Sequence, residues 1–302
     1  MRAVAFTEFG AAVAVREIAV PEPGEGEVRV RVHAASINGF DLAVANGYLQ
    51  GVMEHRFPVV LGKDFAGVVD AVGAGVGGYA VGDRVFGVVT KAFLGDGSLA
   101  EFVTVPVAIG LAKLPDEVSF TDGGALGLAG SAARDAVAAA GLTAGERVLV
   151  SGATGGVGNL VVRLAVQAGA TVIATARPGE EQELVTSLGA AETADHTAGL
   201  AGQVKDVDVV FHLAGDAAEL LGVLRAGGRF VSTLVGAPDQ VPTEEHTVLP
   251  VRAQPTAATL DALAADDARP VVEKVYPLEG ALDAIAHFTA GTKGKIVVSV
   301  AE

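Results

Sequence analysis

Arg147–Ala168 reads RVLVSGATGGVGNLVVRLAVQA: an apolar strand Arg147–Ser151, a glycine-rich turn, then an apolar pattern of helical period from Asn159 to Ala168. The turn fits the dinucleotide fingerprint as Ala153-x-Gly155-x-x-Gly158, with alanine in place of the first glycine. Glycines 155 and 156 let the main chain approach a pyrophosphate whose charge faces a helix N-terminus, and glycine 158 lets that helix pack close to the strand. A glycine-rich turn alone says little in a chain with 40 glycines. The strand before it and the helix after it give it weight.

Working outward, Thr171–Thr175 (TVIAT), Val207–Phe211 (VDVVF) and Arg229–Ser232 (RFVS) are further apolar strands with alanine-rich helical stretches between them. That alternation predicts an α/β domain over residues 115–268, a doubly wound parallel sheet with helices on both faces. The tip of its second strand selects the cofactor. Asp or Glu about twenty residues past the glycines would bond a ribose 2′-hydroxyl. Here Arg177 stands at that place, and a guanidinium favours a 2′-phosphate, so NADPH is expected. The alternative is a surface Arg177 whose only partner is Glu180 or Glu181.

The first third, to Leu114, is different in texture. Glu27–Ala34 (EVRVRVHA), Ala66–Val72 (AGVVDAV) and Arg84–Val89 (RVFGVV) are short β segments punctuated by Gly77-Gly78 and Gly82-Asp83, which predicts a compact all-β domain over 1–114. From Arg269 the chain returns to β character, with PVVEKVYPL, a helical Glu279–Ala290 and a last strand Lys295–Val300, so 269–302 is assigned to the first domain.

Composition narrows the partners. With 302 residues, half of them apolar, the chain can bury two cores. A net charge of −15 with few basic runs argues against nucleic acid or an anionic membrane surface as the main partner, because both need a positive face. The absence of cysteine excludes disulfides, thiolate catalysis, iron–sulfur clusters and Cys-based zinc sites. The N-terminal MRAVAFTE reaches a charge too early for a signal peptide, and Arg163 and Gln167 interrupt an apolar stretch before it could span a bilayer, so a cytoplasmic protein is expected.

Several short segments occur in a telling order: Pro21-x-Pro-Gly-x-Gly-Glu-Val28, Ser36-Ile-Asn-Gly-Phe-Asp41, Gly62-Lys-Asp-Phe-Ala-Gly-Val-Val69, Gly82-Asp-Arg-Val85, Gly97-Ser-Leu-Ala-Glu101, the glycine-rich loop, Ser187-Leu-Gly-Ala190 and Gly294-Lys-Ile-Val-Val298. In this the sequence resembles, over nearly its whole length, the zinc-free quinone oxidoreductase branch of the medium-chain dehydrogenase/reductase superfamily. The resemblance implies a GroES-like β domain plus a Rossmann domain, an active site in the cleft between them, and a homodimer. The positions that hold catalytic zinc in the alcohol dehydrogenase branch are filled here by Asn38, Lys63 and Leu128, which are not a zinc set, and the six histidines show no paired ligand spacing, so no metal is expected.

By the same resemblance, Asn38 sits beside the nicotinamide and Asp41 orients the neighbouring loop. Tyr48 is placed to give a proton or hydrogen bond to substrate, or is an ordinary half-buried rim aromatic. Lys63 polarises a substrate carbonyl, or forms a structural ion pair with Asp41 or Asp64. Thr154, Gly155, Gly156 and Val157 map to the pyrophosphate, Arg177 and His196 to the adenosine phosphate. Leu213, Ala214 and Gly215, then Leu234, Val235 and Gly236, flank the cofactor. Where the family reads Ala-Gly-Leu-Thr-Ala-Tyr, this chain has Ala129-Gly-Ser-Ala-Ala-Arg134; Ser131 is the candidate for the displaced hydroxyl, and Arg134 has no assigned role. The implied activity is hydride transfer from NADPH to a quinone or related small carbonyl acceptor. The rivals are an NADPH-dependent enoyl or enone reductase and a non-catalytic NADPH-binding sensor.

Overall fold

The computed structural model describes residues 1–301 and divides into two compact units, one formed by Met1–Leu128 with the segment from Pro255 onward, the other by Ala129–Gln254.

In the first unit the organising element is the ten-residue strand Glu27–Ser36. Its alternating valines make one face: Val28, Val30 and Val32 are fully buried, while Arg29 and Arg31 point away. On one edge it pairs antiparallel with Asp64–Val72, with two register shifts. Its other edge is shared. Residues 27–31 pair with Phe102–Pro106, and residues 34–36 pair with Lys295–Ser299, which brings the distal end of the chain into the middle of the sheet. Arg84–Val88 and Leu111–Lys113 extend the sheet on one side, and Val272–Pro277 on the other. Phe65, Val103, Ile296 and Val298 join the valines in the core. The region read as all-β also contains a seven-residue helix, Gly39–Ala45, which carries Asp41.

The second unit is a six-stranded, wholly parallel sheet. In space the strands run Glu192–Ala194, Thr171–Thr175, Arg147–Ser151, Val207–His212, Leu224–Ser232, Thr247–Pro250; counted along the chain this is 3-2-1-4-5-6, the Rossmann order. The central strands are buried on both faces, hence their unbroken apolar runs. The helix Gly158–Gln167 follows the first of them directly.

The seam falls at 128/129 and 254/255 rather than 114/115 and 268/269. The reason lies in the helix Phe120–Ala140. Its Gly123, Gly124 and Gly127 lie against Leu114, the Ala34 carbonyl and the Gly87 carbonyl, so its first half belongs to the first unit. Likewise the Gly110 N–H donates to the Pro255 carbonyl at 3.0 Å, and the helix Ala257–Ala265 packs on Leu111–Lys113.

Candidate active site

In the first unit, groups from three other parts of the chain converge on Asp64, which is fully buried. Its carboxylate accepts from Ser36 Oγ at 2.6 Å, Asn38 Nδ2 at 2.9 Å and the Leu128 N–H at 2.5 Å, and faces Lys295 Nζ at 3.4 Å. The Lys295 ammonium also donates to Asn38 Oδ1 at 2.6 Å and to the Ile37 carbonyl at 3.2 Å. Asn38 Nδ2 has a second acceptor in the Ser36 carbonyl at 3.3 Å. The Asn38 amide is therefore engaged at both ends, its oxygen by an ammonium and its nitrogen by a carboxylate and a carbonyl. A buried charge needs a partner, and here Lys295 and Asp64 serve each other.

Asp41 ties this cluster to the next turn. It accepts from the Asn38 N–H at 2.8 Å and from the Gly62 N–H at 3.2 Å. Gly62 has φ +103°, and a Cβ there would sit 2.5 Å from the Leu99 nitrogen, so the turn presenting Lys63 requires glycine. Burial pushes the Asp41 carboxyl up from 3.8 to about 7, aided by the charge of Asp64 and opposed by its two N–H donors and Lys295. The folded chain thus keeps a proton that the unfolded chain releases near pH 4. Stability from this group is full below that pH and is lost as pH rises through about 7. Unfolding free energy should fall between pH 5 and pH 7.5 more steeply for the native protein than for Asp41→Asn; equal slopes would refute this.

Lys63 does not pair with Asp41 or Asp64. Its ammonium donates to the Val89 carbonyl at 2.6 Å and lies 4.8 Å from the centroid of the Phe40 ring. Burial lowers its pKa, and the charges of Asp41 and Asp64 oppose that. Tyr48, in the turn after the helix Gly39–Ala45, is 75% exposed, well beyond a half-buried rim position. At the three zinc-position residues, Asn38 is committed to Asp64 and Lys295, Lys63 to a carbonyl, and Leu128 offers only an aliphatic side chain. Among the described residues no group of three or more His, Cys, Asp or Glu side chains could hold a metal, so the residues present do not fit zinc.

In the second unit the loop after Arg147–Ser151 is built for close approach. A Cβ at Gly158 would sit 2.0 Å from the Gly152 carbonyl oxygen, so the helix begins against the end of the strand only because residue 158 is glycine. The N–H groups of Thr154, Gly156 and Val157 have no acceptor among the described residues, as expected at a helix start that takes a phosphate. Ser151, Gly152, Thr154, Thr175, His196 and Ala214 line part of a cavity of about 230 Å³ beside this loop. These donors, the glycine and the cavity fit a dinucleotide.

Of the sequence-derived cofactor residues, Thr154, His196, Ala214 and Gly215 line that cavity; Gly155, Gly156, Val157, Arg177, Leu213, Leu234, Val235 and Gly236 do not. Ser131 is fully buried in the helix Phe120–Ala140. Arg177 is paired locally with Glu181: Nε donates to Oε1 at 2.8 Å, Nη2 also reaches Oε1, and the Arg177 main-chain N–H donates to Oε2 at 2.8 Å. The loops after the fourth and fifth strands are joined by a pair that sequence reasoning missed. His212 Nδ1 lies 2.9 Å from Ser232 Oγ and its Nε2 lies 3.2 Å from the Gly215 carbonyl, while Ser232 Oγ accepts from the N–H groups of Leu234 and Val235 at 3.1 and 3.3 Å. Lys295 was also missed as a site residue. Its signal was a lone lysine opening an apolar strand in GKIVVSV.

Two family models match the chain. Residues 24–116 match the alcohol dehydrogenase GroES-like domain family and residues 188–298 the zinc-binding dehydrogenase family. The chain is similar to a 2-methylene-furan-3-one reductase of Solanum lycopersicum, 31% identical over 99% of this chain and 79% of the relative, and to a quinone oxidoreductase of Lama guanicoe, 31% identical over 99% and 97%. Among solved structures it superposes on the quinone oxidoreductase from Coxiella burnetii with a TM-score of 0.91 at 26% identity, covering 100% of this chain and 99% of that one.

Proposed function

Since the chain belongs to the medium-chain dehydrogenase/reductase superfamily and is a quinone oxidoreductase-like, nicotinamide-dependent member of it, we propose that it is an NADPH-dependent, zinc-independent reductase of quinones. The observation that carries this is the glycine-rich loop on a sheet of 3-2-1-4-5-6 order, where the N–H groups of Thr154, Gly156 and Val157 have no acceptor among the described residues and residue 158 is glycine. When bound, the nicotinamide supplies a hydride. Thr154, Gly155, Gly156 and Val157 would hold the pyrophosphate, Arg177 and His196 the adenosine phosphate. Leu213, Ala214, Leu234, Val235 and Gly236 would line the cofactor, their loops fixed by His212 and Ser232, and Ser131 would supply a hydroxyl for the carboxamide. Asn38, braced by Asp64 and Lys295, is the residue we assign to the acceptor. A quinone takes the hydride on one oxygen-bearing ring and a proton from water, so positioning does most of the work. By resemblance the protein acts as a homodimer; among the described residues no helix is long and apolar enough to cross a membrane.

A second reading, reduction of enones, draws on the 2-methylene-furan-3-one reductase likeness and on Tyr48, whose exposed hydroxyl has no partner among the described residues. An enone develops enolate charge that a donor must stabilise, whereas a quinone spreads it over a forming aromatic ring. On quinones, Tyr48→Phe and Lys63→Met should each cost about threefold in turnover. On enones, loss of a true donor costs about a hundredfold. Steady-state rates of both variants on both substrate panels decide between the readings. A large loss on quinones refutes positioning alone, a large loss confined to enones moves the assignment, and tight NADPH binding with no turnover on either panel leaves a binding protein.

A further inference from the structure

Arg177 carries the proposed preference for NADPH, yet its guanidinium is not a free cation. Nε and Nη2 both face one oxygen of Glu181, and the other oxygen of that carboxylate is held by the Arg177 main-chain N–H. The pair is unequal. The Glu181 side chain is 10% exposed and fixed in the first turn of the helix Glu180–Ser187, whereas the Arg177 side chain is 61% exposed. Asp195 adds a second negative charge near the guanidinium, and His196, in the turn after the strand Glu192–Ala194, lies within electrostatic range of Glu181. A guanidinium has five N–H donors; Glu181 faces those of Nε and Nη2, leaving Nη1 for an incoming phosphate.

We propose that Glu181 is a specificity-determining residue that restrains discrimination between NADPH and NADH. This rests on the reading of Arg177 as the 2′-phosphate contact. The carboxylate does so in two ways. It cancels the nearest positive charge, and it places its own negative charge beside a group that carries about −1.5 to −2 at neutral pH. NADH, with a 2′-hydroxyl, carries no charge there for the carboxylate to repel. The pair thus trades affinity for the phosphate against a fixed arginine side chain.

Dissociation constants for NADPH and NADH, measured by calorimetry on the purified full chain, test this directly. Glu181→Gln keeps an oxygen for the Arg177 N–H and removes the charge. It should raise the ratio of NADPH to NADH affinity roughly fivefold at low salt, with NADH unchanged, and the gain should vanish near 1 M salt. A ratio that is unchanged, that falls, or that rises independently of salt would overturn the proposal. Arg177→Ala reads the underlying assignment separately. If it leaves the ratio as it was, the assignment of Arg177 to the 2′-phosphate fails. If it lowers the ratio about tenfold while Glu181→Gln does nothing, that assignment stands and the role of Glu181 falls.

Discussion

Lys295→Met should destabilise the first unit by about 3–5 kcal/mol, the scale for removing one partner of a buried ion pair. Methionine matches the lysine stem in volume, so lost packing contributes little. What is lost is the cation, whose ammonium lies 2.6 Å from Asn38 Oδ1 and 3.4 Å from Asp64. Asp64 would keep three hydrogen-bond donors but lose its ion-pair partner in a buried site. Hydrogen exchange of the amides in Glu27–Ser36 and Asp64–Val72 reads this unit by itself, which a global melt of two units would not. Adding Asp64→Asn to Lys295→Met should restore part of the loss, with a coupling of about 1–3 kcal/mol. A loss under about 1 kcal/mol, or strictly additive variants, would show that the cluster is not held by charge.

Gly158→Ala should weaken NADPH binding about a hundredfold, since misplacing positioning groups by an ångström costs that much. The added Cβ would sit 2.0 Å from the Gly152 carbonyl oxygen and 2.8 Å from the Ala153 Cα, both main-chain atoms with no side-chain freedom to yield. The helix start must move, and with it the N–H groups of Gly156 and Val157. Stability should fall too, by about 1–3 kcal/mol. Gly155→Ala is the contrasting variant: its Cβ meets only the Gly152 oxygen at 3.4 Å, so it should spare stability while still crowding a bound phosphate. If Gly158→Ala binds NADPH as the native protein does, the loop is a structural turn and the cofactor lies elsewhere.

The parts of the fold that the sequence made legible are those where burial alone decides. Val148, Leu149 and Val150 are buried on both faces and read as an apolar run, and the alternation in EVRVRVHA follows from one buried face. The two edge strands of the parallel sheet, Glu192–Ala194 and Thr247–Pro250, are short and partly polar and gave no such pattern. The helix Gly39–Ala45 is two turns long and starts on glycine, so it has neither length nor propensity to announce it. The Arg177–Glu181 contact is a local i,i+4 pair and was among the alternatives for that reason. Lys295 and Asp64 meet across 231 residues of chain, a relation that no local spacing encodes. Asp41 and Lys63 were singled out, but their partners, main-chain N–H groups and a carbonyl, exist only once the chain has folded.

The wedging of Lys295–Ser299 between Glu27–Ser36 and Val272–Pro277 also sets an order of events at the ribosome. The parallel unit is contiguous, so all six of its strands have emerged once residue 250 clears the exit tunnel, and it can fold while elongation continues. The first unit cannot close so early. Until residue 299 emerges, residues 34–36 present an unpaired sheet edge, and Asp64 waits in a forming core without its ammonium. A nascent chain arrested between those points would hold a finished parallel sheet and an unfinished antiparallel one, so the arrival of one lysine makes the oldest part of the polypeptide the last to mature.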